Sequence, residues 1–94
     1  FVNIRSSDKC ARYGGEEFLI VLPHTADGAA QRSLDRLRTI VADLDWSAIS
    51  PGLVVTMSAG LAMLRPNDTP ETILARADAA LYRAKDCGRN RVAV

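Results

Sequence analysis

The sequence predicts an α+β fold in which helices pack on a β-sheet, in the order strand, strand, helix, strand, helix, strand. Three observations point there. A short β-like run and a strongly apolar one flank the pair Gly14-Gly15, as in a hairpin. Two long stretches, one from Ala26 to Leu44 and one starting at Pro70, carry apolar residues at helical spacing. Charge-poor runs from Leu53 to Leu64 and from Arg91 to Val94 supply the remaining strands.

Phe1-Val2-Asn3-Ile4 has no Met, cap or linker character and reads as the middle of an element, so the chain is expected to be a piece of a longer domain. Arg5-Ser6-Ser7-Asp8 is polar and turn-forming. Lys9 to Tyr13 and Phe18 to Leu22 read as strands joined by Gly14-Gly15, because both central positions of a two-residue turn need positive φ. The carboxylates Glu16 and Glu17 then open the second strand at the hairpin tip. Leu19-Ile20-Val21-Leu22 is apolar on both faces, which predicts a central, doubly covered strand. Pro23-His24-Thr25 ends it, with His24 as a turn residue and Thr25 as the expected helix N-cap.

From Ala26 to Leu44, the residues Ala30, Leu34, Leu37, Val41 and Leu44 form one stripe toward the sheet, with Arg32, Asp35, Arg36 and Asp43 off it. Asp45 to Gly52 reads as a loop that Trp46 and Ile49 pin to the domain edge. Leu53 to Leu64 is β-branched at its start and almost free of charge, which predicts a buried strand. Gly60 inside it signals a bulge or a close backbone approach. Thr69 or Asp68 then caps a helix with Pro70 in its first turn. Its apolar face is Ile73, Leu74, Ala77, Ala80, Leu81 and Ala84, with Arg76 and Arg83 pointing away and Tyr82 packing with its hydroxyl at the rim. Gly88 stops the helix.

Hydrophobic residues make up 48% of the 94, and charged residues 24%, the balance of one globular core. A net charge of +1 supplies no bulk field for nucleic acid or an anionic membrane surface. No apolar run approaches a bilayer span, and the first residues lack the basic-then-apolar layout of a signal peptide. Cys10 and Cys87 are too few for a disulfide framework and read as reduced thiols of a cytoplasmic protein.

Adjacent carboxylates repel each other, so a pair at a hairpin tip is usually offered to a cation. The plain alternative is a hairpin with solvated acidic residues. Gly14-Gly15-Glu16-Glu17-Phe18 resembles the signature of the GGDEF family, the diguanylate cyclases, in its Glu variant. The resemblance extends along the chain. Arg5 and Asp8 match the family's Arg-x-x-Asp ahead of the hairpin, and Ser58-Ala59-Gly60 matches its Ser-x-Gly strand end. Ala77-Asp78-Ala79-Ala80-Leu81-Tyr82-Arg83-Ala84-Lys85 and Gly88-Arg89-Asn90 match its closing helix and loop. This implies a ferredoxin-like palm, as in nucleotide cyclases, with helices packed on its sheet. The family's N-terminal strand, with its metal-binding aspartate, and the helices carrying its guanine-recognising Asn and Asp are expected ahead of Phe1, making residues 1–94 the C-terminal portion of a single GGDEF domain.

The resemblance implies an enzyme that condenses two GTP into cyclic di-GMP, the 3′-hydroxyl of each attacking the α-phosphate of the other with Mg²⁺ or Mn²⁺. Glu16 then matches the metal ligand and base, and Glu17 a second ligand or orienting group. Gly14 and Gly15 let backbone approach the nucleotide, besides making the turn. Lys85 and Arg89 match the phosphate contacts, although a lysine in a last helical turn also complements the helix dipole. Arg5 and Asp8 match a product-inhibition site for cyclic di-GMP, and Arg36 falls where a second arginine for that ligand can stand or where a helix simply meets solvent. Two facing GTP sites imply a homodimer. Residues 1–94 alone are expected to be inactive. A catalytically silent cyclic di-GMP receptor is the alternative, which the intact Glu16 and Glu17 disfavour.

Overall fold

The computed structural model describes residues 9–14 and 17–94. Strands β1 (Lys9–Gly14) and β2 (Glu17–Val21) form an antiparallel hairpin. Helix α1 (Asp27–Asp43) follows, then β3 (Ala59–Gly60), helix α2 (Pro70–Asp86) and β4 (Val92–Ala93), which pairs parallel with β3. The predicted α+β class and element order are observed, with the sheet present as two separate pairs.

The hairpin register departs from the prediction by one residue. Arg12 pairs with Phe18, but Gly14 pairs with Glu17, so Tyr13 is an extra residue in β1. That irregularity carries Gly14 into the strand and leaves residues 15 and 16, rather than 14 and 15, between the paired ends. Glu17 is the first described residue of β2, and Gly15 and Glu16 lie outside the described residues.

Among the described residues the second strand has one strand neighbour, β1, rather than one on each side, and Phe18 and Val21 are exposed. An apolar run on both faces permits double cover but does not supply the covering layers, and among the described residues no element packs extensively on the hairpin.

Helix α1 realises the predicted stripe: Ala30 and Leu34 are buried, Leu37 and Val41 half-buried, and Arg32, Asp35, Arg36 and Asp43 exposed. Its N-cap is Ala26, not Thr25, and makes no side-chain cap bond. The Thr25 hydroxyl instead donates to the Pro23 carbonyl at 3.0 Å. In the following loop Trp46 donates through Nε1 to the Val41 carbonyl at 3.0 Å, as a pin should, whereas Ile49 is 72% exposed.

The predicted strand Leu53 to Leu64 contracts to β3. A ladder needs a partner, and β4 offers one only where the Ala59 N–H donates to the Arg91 carbonyl at 3.0 Å and the Leu61 N–H to the Ala93 carbonyl at 2.8 Å. Val54 and Leu64, beyond that reach, are 76% and 75% exposed.

Helix α2 packs on β3 and β4, while α1 packs on β4. Ala80 and Ala84 are fully buried on α2. Its start is a capping box in which the Thr69 hydroxyl accepts from the Thr72 N–H at 3.3 Å and the Thr72 hydroxyl accepts from the Thr69 N–H at 2.9 Å. Its end is a Schellman motif: the Arg89 N–H reaches the Ala84 carbonyl at 2.9 Å and the Gly88 N–H the Lys85 carbonyl, with Gly88 at φ +119°. Tyr82 stands 71% exposed rather than packed, being off the stripe that holds Ala77, Ala80 and Ala84. Arg76 does not point away. It forks onto Asp68 at 2.5 and 2.7 Å and donates to the Met63 carbonyl at 2.6 Å, tying the strand-to-helix turn to the second turn of α2.

Gly60 confirms the predicted close approach. A Cβ there would collide with the Leu81 nitrogen and the Ala77 carbonyl oxygen, and would stand 2.8 Å from the Leu81 Cα. Its φ lies outside the left-handed region, so glycine is required here for room, not for backbone freedom.

Candidate functional site

The hairpin end and the α2–β4 loop hold the chemistry-bearing residues that the structure describes. Gly14 closes β1 opposite Glu17, which is half-buried at the first position of β2. Among the described residues the Glu17 side chain has no hydrogen-bond or ion-pair partner. Arg5, Asp8, Gly15 and Glu16 lie outside the described residues.

At the other location Lys85 is half-buried in the last turn of α2, and Arg89 is exposed just past the helix end. These two cations, four positions apart, have no side-chain partner among the described residues. No described hydrogen bond or ion pair joins them to Glu17. Arg36 is exposed midway along α1. A shallow depression of about 220 Å³, lined by Gln31, Asp35 and Val92, gathers none of these residues.

The loop that presents Arg89 is held tightly. Arg89 and Asn90 occupy the left-handed region, at φ 63° and 48°, where residues with a Cβ are uncommon. The Asn90 N–H donates to the Ser58 hydroxyl at 3.0 Å, which joins the Ser58-Ala59-Gly60 and Gly88-Arg89-Asn90 motifs directly. Arg38 on α1 donates through one terminal nitrogen to the Asn90 side-chain oxygen at 3.0 Å and to its carbonyl at 3.4 Å. Sequence reasoning missed Arg38. The pairing with Asp35, an i,i+3 neighbour at 2.7 Å, is legible locally, but Asn90 lies 52 positions away and no periodicity announces it.

The Asp68–Arg76 pair is the strongest electrostatic feature among the described residues. The Arg76 guanidinium holds the Asp68 carboxyl well below the usual carboxylate range; burial opposes this, and the Thr72 hydroxyl and Arg65 N–H add to the lowering. Asp68 in turn raises the Arg76 value. The Asp68 side chain is only 4% exposed, and each of its oxygens is engaged, so the pair is a structural clasp with no acceptor left for a ligand.

Among the described residues no group of three or more His, Cys, Asp or Glu could hold a metal ion. The donor chemistry nonetheless suits a hard divalent cation. Mg²⁺ is commonly bound through one or two carboxylates with the remaining positions taken by phosphate oxygens and water, and Glu17 beside Glu16 supplies such a pair in sequence.

Comparison with known proteins gives these features a context. The profile of the family described as "Diguanylate cyclase, GGDEF domain" matches residues 2–91. A diguanylate cyclase of Pseudomonas aeruginosa, DgcP, is 42% identical over 91 residues, covering 97% of this chain and 14% of its own length. The solved GGDEF domain of DgcB from Caulobacter crescentus, in complex with c-di-GMP, superposes with a TM-score of 0.88 at 34% identity, over 98% of this chain and 56% of that one. An active GGEEF domain of a diguanylate cyclase from Vibrio cholerae superposes with a TM-score of 0.87 at 31% identity, over 98% of this chain and 58% of that one. The chain therefore spans a small part of the curated relative and little more than half of each solved domain.

Proposed function

Because the chain belongs to the diguanylate cyclase GGDEF family, we propose that residues 1–94 are the C-terminal portion of a single GGDEF domain whose parent protein condenses two GTP molecules into cyclic di-GMP. One observation carries this reading. The β1–β2 hairpin closes on Gly14 and Glu17 within Gly14-Gly15-Glu16-Glu17-Phe18, the same five residue types that name the active Vibrio cholerae domain.

Each residue takes a role its surroundings permit. Gly14, at the end of its strand, and Gly15 give the nucleotide a backbone wall without side chains. Glu16 and Glu17 would hold Mg²⁺ or Mn²⁺, which when bound neutralises triphosphate charge and favours ionisation of the attacking hydroxyl. Glu16 is the base that receives the 3′-hydroxyl proton. Lys85 and Arg89, both without described partners, meet the phosphates and stabilise the charge that builds there as the α-phosphate is attacked. Each 3′-hydroxyl attacks the α-phosphorus of the other nucleotide and pyrophosphate leaves from each as its α–β bond breaks, so two domains must face each other in a homodimer.

Arg5 and Asp8, with Arg36 exposed on α1, form a separate product-binding site through which cyclic di-GMP inhibits. The c-di-GMP bound to the DgcB domain supports a ligand of this class. In this reading the reaction belongs to the cytoplasm, where GTP is available. No helix among the described residues is long and apolar enough to cross a membrane. Residues 1–94 by themselves are inactive in this reading, because the guanine pocket lies in the rest of the domain.

The test is incubation of the purified full-length protein, and of residues 1–94 alone, with GTP and Mg²⁺, with nucleotides resolved by chromatography. Cyclic di-GMP from the full-length protein only is the expected result. No product from a folded, dimeric full-length protein would overturn the cyclase reading and favour the receptor.

A further inference from the structure

Arg89 leaves its loop from a left-handed backbone, and part of what holds that loop lies on other elements. The Arg89 N–H is spent on the Ala84 carbonyl at 2.9 Å, and its carbonyl accepts from Arg91 Nε at 3.0 Å. The next residue is gripped at its N–H by Ser58, and at its carbonyl and side-chain oxygen by Arg38. Asn90 tolerates the left-handed region, but Arg89 adopts it only uncommonly, and the surrounding bonds fix both.

Arg38 suits this task by geometry. Asp35 accepts from its Nε at 2.7 Å and Thr39 from one terminal nitrogen at 3.1 Å, which fixes the plane of the guanidinium. The other terminal nitrogen is then aimed at both Asn90 oxygens. A lysine ammonium has no fixed plane and cannot serve these acceptors at once. The Arg38 side chain is 22% exposed, so these bonds compete with water less than those of a fully solvated arginine.

We propose that Arg38 is a positioning residue for nucleotide phosphate: by clamping Asn90 from α1, it sets the direction in which Arg89 leaves the α2–β4 loop. The proposal rests on the reading of Arg89 as a phosphate contact. Without Arg38 the loop keeps the Ser58 and Ala84 bonds but loses both bonds to the Asn90 oxygens, so the Asn90 peptide can reorient and change the direction in which Arg89 leaves. A long side chain converts that change of backbone direction into a displacement of several ångströms at its guanidinium. Misplacement of a positioned group by even about 1 Å can cost a large factor in rate or binding.

The experiment compares Arg38→Ala, Arg38→Lys, Arg89→Ala and the double variant Arg38→Ala/Arg89→Ala in the full-length protein. Initial rates against GTP are measured, with equilibrium titration of GTP and of guanosine, and melting temperature as the control for folding. Arg89→Ala is expected to raise the GTP dissociation constant about tenfold, as for loss of a charge-assisted bond. Arg38→Ala should approach that effect, Arg38→Lys should not restore binding, and the double variant should be no worse than Arg89→Ala alone. Guanosine, having no phosphate, should bind all variants alike. Multiplicative effects in the double variant, or guanosine affinity falling in parallel with GTP, would show that Arg38 supports only the fold and would overturn the proposal. Unchanged GTP affinity in Arg89→Ala would remove the phosphate role of Arg89 itself, a failure of the underlying reading and distinguishable from a failure of coupling. If Arg38→Ala does not fold, Arg38→Lys with its own double variant decides the same question.

Discussion

Replacing Gly60 by alanine should destabilise the domain even though alanine is the better residue almost anywhere else. Exchange of a strand glycine for alanine normally gains about 0.5–1 kcal/mol, because the unfolded chain loses freedom. Here the added Cβ would fall 2.8 Å from the Leu81 Cα and closer still to the Leu81 nitrogen and the Ala77 carbonyl oxygen. All three are backbone atoms of α2, so no side-chain rotation relieves the clash. Carbon atoms in good contact sit about 3.5–4.0 Å apart, so α2 must retreat by roughly 1 Å. Retreat on that scale opens the packed face on which Ala80 and Ala84 are fully buried. Overpacking of this kind costs about 1–3 kcal/mol, and the rigid obstacle places Gly60 at the upper end. The net loss is about 2 kcal/mol, or roughly 4–8 °C in Tm for a domain of about 150–250 residues. The assay is thermal melting of the full-length Gly60→Ala protein followed by far-ultraviolet circular dichroism. A Tm equal to or above that of the unsubstituted protein would refute the packing argument.

Thr69→Ala should cost about 1 kcal/mol through loss of the α2 cap, seen as a lower denaturation midpoint with an unchanged slope. Asp68→Asn should lower Tm at neutral pH. The folded Asp68 value is depressed, so its contribution is complete above the unfolded value near about 3.9 and is lost only as pH falls through the folded value. The Tm gap between Asp68→Asn and the unsubstituted protein should therefore hold constant from neutral pH to about pH 5 and close in stronger acid; a gap that closes near neutrality would contradict the clasp. Arg5→Ala should weaken cyclic di-GMP binding about tenfold in calorimetric titration, with Arg5→Lys nearly as damaging because lysine cannot fork, and with initial turnover unaffected.

The parts of the fold legible in the sequence were those with short-range causes. Thr69, Pro70 and Gly88 act within a turn of the helix ends they define, and all three were found where expected. Gly60 signals a bulge or a close approach, and α2 does pass that close. Long-range causes stayed hidden. Gly14-Gly15 announces a turn but cannot say which pair closes it, and the extra residue Tyr13 moved that pair to Gly14 and Glu17. The apolar content of Leu53 to Leu64 permits a strand, but strand length is set by the partner, and β4 is short. Arg76 looked like a solvated helix residue because Asp68 lies on the preceding turn rather than on the same face. At the candidate site, resemblance to a family named Gly14, Glu17, Lys85 and Arg89, while the bonds that hold Asn90, next to Arg89 in the chain, come from Arg38 on α1 and from Ser58 just before β3, and no local motif pairs those positions.

The central claim is that the hairpin carboxylates carry the turnover of GTP. Initial rates of cyclic di-GMP formation by the full-length protein and its Glu16→Ala variant, with GTP and Mg²⁺ saturating, test it most directly. Loss of a metal ligand and base should reduce the rate roughly a hundredfold or more while the variant melts near the unsubstituted temperature. A folded Glu16→Ala protein that turns GTP over at a near-normal rate would contradict the account.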